Sequence, residues 1–272
     1  MSVQQEAPAA GPKIALTPKA QQQGAKVKLR VFWRTTKLWT PAQVADFQHQ
    51  ALPIAQRLRV EQYWNKDGRV LTNRFTCEDF ALRVLFEYAC AQGLPVKLVT
   101  GERSYRNMEV FDADKHDGFA ANLYGFSHMV MRTYGAPDMQ RLGVNTVAVA
   151  SPEALLPGDI LALARDTKGA ATGGRAHHIQ MVVAHAATRI SIYQGNSDST
   201  IHRPITWFNK LIGRNGADPA QDAYAGMPVE TGQYTSNGKG GWDYVNLSTS
   251  SGSKDFLKLF DLLRWNFMEF NR

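Results

Sequence analysis

After Cys77 the apolar residues Phe80, Ala81, Val84, Leu85 and Tyr88 repeat at helical spacing, which predicts a helix from Cys77 to about Ala91. Thr76 followed three residues later by Asp79 is a capping-box-like start signal, and Gly93 with Pro95 supplies the stop. Thr40 and Pro41 mark another helix start, and the pattern beyond them predicts helices over 41–51 and 53–65, ended by the Asp67-Gly68 turn. Val27, Leu29, Val31 and Trp33 alternate, as expected of a strand or extended entry segment. Val96 to Thr100 reads as a short strand, and Ala120 to Tyr134 as a helix with Leu123, Phe126, Val130 and Tyr134 on one face.

The second half changes character. Leu156-Pro157-Gly158-Asp159 is a turn that leads into a strand over Ile160 to Ala164. A Gly- and Thr-rich loop follows at 166–175, and then an apolar strand from His178 to His185 that pairs with Arg189 to Tyr193 as a hairpin. Residues 214–254 are rich in Gly, Asn and Ser and read as irregular. Phe256, Leu259, Phe260, Leu263 and Phe267 then predict an amphipathic helix from Lys254 to Phe270. Residues 1–26, rich in Ala, Gln, Pro, Gly and Lys without periodicity, read as a disordered leader, which leaves 27–272 as the folded domain.

Composition narrows the classes. The chain of 272 residues is 44% hydrophobic, enough for a sizeable core, and holds no run of 18 apolar residues, so no membrane span is expected. The N-terminus shows no Sec-type signal pattern. Cys77 and Cys90 on one helix would be about 20 Å apart, too far for a disulfide, and two separate thiols suit synthesis in a reducing compartment. A net charge of +7 suits an anionic surface or plain solubility. The basic residues are dispersed and form no nucleic-acid motif, so no nucleic-acid partner is expected. Asp112, Asp114, His116 and Asp117 do not have calcium-loop spacing, because Leu123 stands where the loop needs Glu, and no Cys/His cluster suggests zinc. Neither metal nor cofactor is expected.

The candidate chemistry begins at Cys77. A thiol in the first turn of a helix meets the positive end of the macrodipole, which favours the nucleophilic thiolate, while the adjacent Glu78 and Asp79 oppose it. An imidazole is therefore needed to take the proton, and a further amide or carboxylate to orient that imidazole. His178 opens a strand, and alternation groups it with Gln180 and Val182, apart from His177, Ile179, Met181 and Val183. A one-residue slip would exchange His177 for His178. The following strand ends in Gln194-Gly195-Asn196, where either amide could orient the imidazole. Asp159 reads as a turn residue. Trp207, Trp242 and Tyr244 are either core residues or the lining of a substrate groove.

Taken in order, Thr76-Cys77-Glu78-Asp79-Phe80, Pro157-Gly158-Asp159-Ile160, His178-Ile179-Gln180-Met181 and Gln194-Gly195-Asn196 resemble the motifs of the NlpC/P60 and CHAP superfamily of papain-like cysteine peptidases and amidases. The resemblance spans roughly 73–198; Glu-Asp replaces the family's Ser-Gly after the cysteine, and an amide replaces the CHAP acid. It implies an α+β, papain-like fold in which the nucleophile helix packs on an antiparallel sheet, with an insertion at about 104–150 and the C-terminal helix added. The implied site is Cys77, His178 and Gln194 or Asn196, and the implied reaction is amide hydrolysis in peptidoglycan stem peptides through a thioester. Such an enzyme would reach the cell wall or periplasm by a contact-dependent secretion apparatus or phage lysis, and an effector would bring an immunity protein as partner. The same pair also serves a toxin-like protease, deamidase or acyltransferase acting on protein or lipid. A degenerate, noncatalytic cell-wall or virion module is the alternative of another class.

Overall fold

The computed structural model describes residues 27–64, 68–112, 118–165, 174–198 and 216–272. The leader, most of the 166–175 loop, Asp114, His116, Asp117 and Trp207 lie outside the described residues.

The architecture is α+β and is organised by an eight-stranded antiparallel sheet. Three short ribbons precede it: β1 (Val27–Val31) pairs with β6 (Met108–Asp112), β2 (Gln62–Trp64) with β3 (Val70–Thr72), and β4 (Lys97–Val99) with β5 (Ser104–Arg106). The helix α1 (Pro41–Val60) lies between β1 and β2, and α2 (Cys77–Gln92) follows β3. Next come β4 (Lys97–Val99), β5 (Ser104–Arg106), β6 (Met108–Asp112) and the helix α3 (Leu123–Met131). The sheet itself is built from β7 (Thr146–Ala148), β8 (Ile160–Leu163), β9 (His178–Ala186), β10 (Arg189–Gln194), β11 (Glu230–Ser236), β12 (Trp242–Asn246), β13 (Gly252–Ser253) and β14 (Phe260–Trp265), with the short helix α4 (Phe267–Phe270) closing the chain. Across the sheet the order is β13-β12-β11-β10-β9-β8-β14-β7.

Local signals explain the helices. Thr40 caps α1 by accepting from the Gln43 N–H at 3.3 Å, and Pro41 occupies its first turn. The two expected helices over 41–51 and 53–65 are one, because the chain runs through Pro53 without breaking and ends at Val60. Phe47, Ala51, Ala55 and Leu58 on one side of α1 are fully buried, and this continuous stripe outweighs the hydrogen bond that Pro53 cannot make. α2 ends as expected, with Gly93 left-handed (φ 65°, ψ 38°) and its N–H returned to Ala89 and Cys90. The start of α2 differs, since the Thr76 side chain makes no cap bond.

The C-terminal amphipathic helix is not formed. Residues 257–259 make one 3₁₀ turn, and Phe260–Trp265 is a strand seated between β8 and β7. A strand buried on both faces carries apolar residues on both, so its pattern mimics a helix stripe. Residues 214–254, expected to be irregular, contain β11, β12 and β13.

The sheet separates two cores. On one side Ile179, Met181, Val183, Leu263 and Trp265 pack with α1, α2 and α3. On the other, Leu161, Val182, Ile190 and Ile192 pack with Tyr234, Trp242, Tyr244 and Phe260. Trp242 and Tyr244 therefore belong to a core rather than to a groove. Among the described residues, no helix is long and apolar enough to cross a membrane.

Candidate functional site

Residues just before α2 and just after β10 are stitched together, and this junction organises the site. The Asn196 N–H donates to the Phe75 carbonyl at 3.0 Å, and Phe75 and Met227 exchange backbone bonds at 2.9 and 3.2 Å. Gly195 lies against the same segment so closely that a Cβ there would stand 2.2 Å from the Thr76 carbonyl oxygen. Only glycine fits. The strand end carrying Gln194 and Asn196 thus abuts the residue before Cys77.

Cys77, half-buried at the head of α2, packs against the first core, and its thiol donates to Glu78 Oε2 at 2.9 Å. Glu78 is itself buried. His178 is the first residue of β9 and half-buried, whereas His177 is exposed. His178 Nε2 lies 3.1 Å from Gln194 Oε1. Gln194 and not Asn196 is therefore the amide on the imidazole; Asn196 Nδ2 donates instead to Glu230 Oε2 at 3.3 Å. Alternation places Gln180 with His178, and Gln180 bonds both Gln194 at 2.8 Å and the Tyr234 hydroxyl at 2.8 Å, on the side of the second core. His178, Gln194 and Asn196 thus belong to one hydrogen-bonded cluster at the sheet's end, and Cys77 meets that end from the helix side through Gly195. Burial pushes the His178 imidazole below its ordinary range, Gln194 pulls it back up, and His177 lowers it further.

Several contributors were missed by sequence reasoning. Glu230 accepts from Gln194 at 2.9 Å, Asn196 at 3.3 Å and Asn246 at 2.8 Å, all on Oε2. It lies in the stretch read as irregular, where only the β-branched and aromatic residues Val229, Thr231, Tyr234 and Thr235 hinted at a strand. Tyr224 was missed as well. Its hydroxyl accepts the Thr76 N–H at 2.9 Å and donates to Asp79 Oδ2 at 2.9 Å, taking the place expected of the capping box. A cavity of about 360 Å³ adjoins Phe75 and Tyr224 and is also lined by Arg74, Arg83, Tyr124 and His128.

Burial pushes the Asp79 carboxyl from its ordinary 3.8 up to about 7, against the lowering effect of its hydrogen bonds. The native state therefore holds this proton while the unfolded chain releases it, so stability present below about pH 4 is lost as pH rises to about 7. Asp79→Asn, which keeps an acceptor for Tyr224, should gain on the wild type across that window. Urea unfolding of both proteins at several pH values checks this; a stability difference that stays the same from pH 4 to pH 8 would refute it.

Asp159 makes its turn, with Oδ2 accepting the Leu156 N–H at 2.8 Å, and also holds Arg264 by two bonds of 2.8 and 2.7 Å. It ties the turn to β14. Cys90, near the far end of α2, stands apart from the cluster. Among the described residues, no three His, Cys, Asp or Glu side chains gather as metal ligands. Comparison of the chain with family models, curated proteins and solved structures finds no match.

Proposed function

We propose that the protein is a papain-like cysteine amidase or endopeptidase acting on the stem peptides of peptidoglycan. The observation that carries this reading is the Gly195 junction. It sets the strand end bearing the amide of His178 directly against the backbone that leads into Cys77. The order of motifs along the chain, similar to that of the NlpC/P60 and CHAP enzymes, supplies the substrate class.

In the reaction proposed, His178 accepts the Cys77 proton as the sulfur attacks the amide carbon. Backbone N–H groups at the head of α2, at the positive end of its dipole, stabilise the oxyanion. Collapse of the tetrahedral intermediate breaks the C–N bond, and the imidazolium returns its proton to the leaving amine. Water, deprotonated by His178, then releases the acid from the thioester. The Cys77 thiol must leave Glu78 for this to proceed. The cavity beside Phe75 offers room for a peptide arm, and Arg74 and Arg83 on its wall suit a substrate carboxylate.

Purified protein incubated with peptidoglycan should release new fragments that carry a freed amine and carboxylate, detected by mass analysis. Intact sacculi after prolonged incubation would refute the substrate class, and activity on a protein or lipid instead would favour a toxin-like acyl-transfer enzyme. One observation favours a noncatalytic module: the thiol's hydrogen bond runs to a carboxylate, which holds the proton on sulfur. Thiol reactivity decides between them.

A further inference from the structure

We propose that Glu230 is a positioning residue that fixes the tautomer of His178, with the proton on Nε2 and the lone pair on Nδ1. The argument starts where hydrogen-bond direction is unambiguous. Asn246 Oδ1 receives the backbone N–H groups of Ser248 at 2.9 Å and Thr249 at 3.1 Å. A backbone N–H can only donate, so the Asn246 amide nitrogen must point the other way, onto Glu230 Oε2 at 2.8 Å. That oxygen is therefore an acceptor. Gln194 places one end of its amide on the same oxygen at 2.9 Å, and that end must be the nitrogen.

The other end of Gln194 is then the carbonyl oxygen. It faces Gln180 Nε2 at 2.8 Å and His178 Nε2 at 3.1 Å. Gln180 cannot reverse its amide, since its oxygen receives the buried Tyr234 hydroxyl at 2.8 Å and a flip would set two oxygens together. An amide oxygen offers no proton, so His178 Nε2 must carry one. A neutral ring has a single N–H, which leaves Nδ1 as the basic nitrogen. Orientation thus passes from two backbone N–H groups through Asn246, Glu230 and Gln194 to the imidazole. Because burial favours the neutral ring, this tautomer is the form present near pH 7.

That Nδ1 is the nitrogen meant for Cys77 rests on the hydrolase reading above; the tautomer itself does not. The test is long-range proton–nitrogen NMR of the full chain labelled at histidine nitrogens, with His178 assigned by comparison with His178→Gln. At neutral pH the wild type should show one pyrrole-like Nε2 and one pyridine-like Nδ1. Glu230→Met, which offers Gln194 no acceptor and so frees its amide to turn over, should mix the two tautomers and lower kcat by about 10- to 100-fold with KM little changed. Gln194→Glu in the Glu230→Met background returns an obligate acceptor to His178 and should restore the Nε2–H signature. An Nδ1–H signature in the wild type would overturn the proposal even if Glu230→Met failed to fold, and so would a Glu230→Met spectrum identical to the wild type. An Nε2–H wild type that hydrolyses nothing would leave the tautomer standing and remove the hydrolase.

Discussion

Cys77→Ala should, under the amidase reading proposed above, lower kcat/KM on peptidoglycan by at least about 10³-fold, on the order of 4 kcal/mol of transition-state stabilisation. The loss is large because no neighbouring group can replace the sulfur as the atom that forms the acyl bond. Cys77 is half-buried at the head of α2, so its truncation removes little packing, and the variant should unfold near the wild-type urea concentration. Loss of activity without loss of fold is therefore the expected pair of results. Iodoacetamide gives an independent measure. Burial and the adjacent Glu87 push the Cys90 thiol up, with Arg83 opposing them, so Cys90 should label slowly at neutral pH. Cys77 should label faster, and inactivation should track its modification alone. Full activity in Cys77→Ala, or equally slow labelling of both thiols, would sink the nucleophile assignment and favour the noncatalytic module.

Arg264→Ala should destabilise the protein by about 3 kcal/mol, with a fall in Tm of roughly 6 °C. Asp159 has a side chain only 2% exposed and is held ionised by two bonds from one guanidinium, of 2.8 and 2.7 Å. Burial pushes its carboxyl up and Arg264 draws it down, so removing the cation leaves a buried charge with its main compensation gone. The same guanidinium also donates to the Ala154 carbonyl at 2.9 Å, tying the approach to the turn. Arg264→Lys keeps the charge but loses the two-pronged geometry and should fall between. Lys254→Ala removes a bridge from a side chain that is 90% exposed and should not measurably shift the transition. Coincident unfolding curves for Arg264→Ala and Lys254→Ala would show that the Asp159 pair carries no stability.

The sequence was most legible where one local signal sufficed. α2 and its Gly93 cap, the Pro-Gly-Asp turn and the β9–β10 hairpin were all expected, as was the pairing of His178 with an amide at the end of the next strand. What was hidden depended on partners distant in sequence. Gly232 looks like a strand breaker until the Tyr244 ring is placed beside it, where a Cβ would come within 2.6 Å. Asp79 spelled a capping box, yet a tyrosine far downstream took over its role because the carboxyl is wholly buried. Glu230 could not be connected to His178 without β11, whose register sets Glu230 opposite Gln194. The run from Phe256 to Phe267 satisfied helix and strand periodicity alike, and the open edges of β7 and β8 decided between them.

The position of β14 has a consequence for how the protein is made. β8 leaves the ribosome with one edge bare and β7 with no strand partner, and the strand that joins them is synthesised much later. Until Phe260–Trp265 arrives, the sheet stops at β8 and β7 is detached from it, which leaves two templates for wrong pairing. A nascent chain would need those templates shielded from its neighbours, and a chain stopped short of Phe260 would leave the edge of β8 open to a foreign strand.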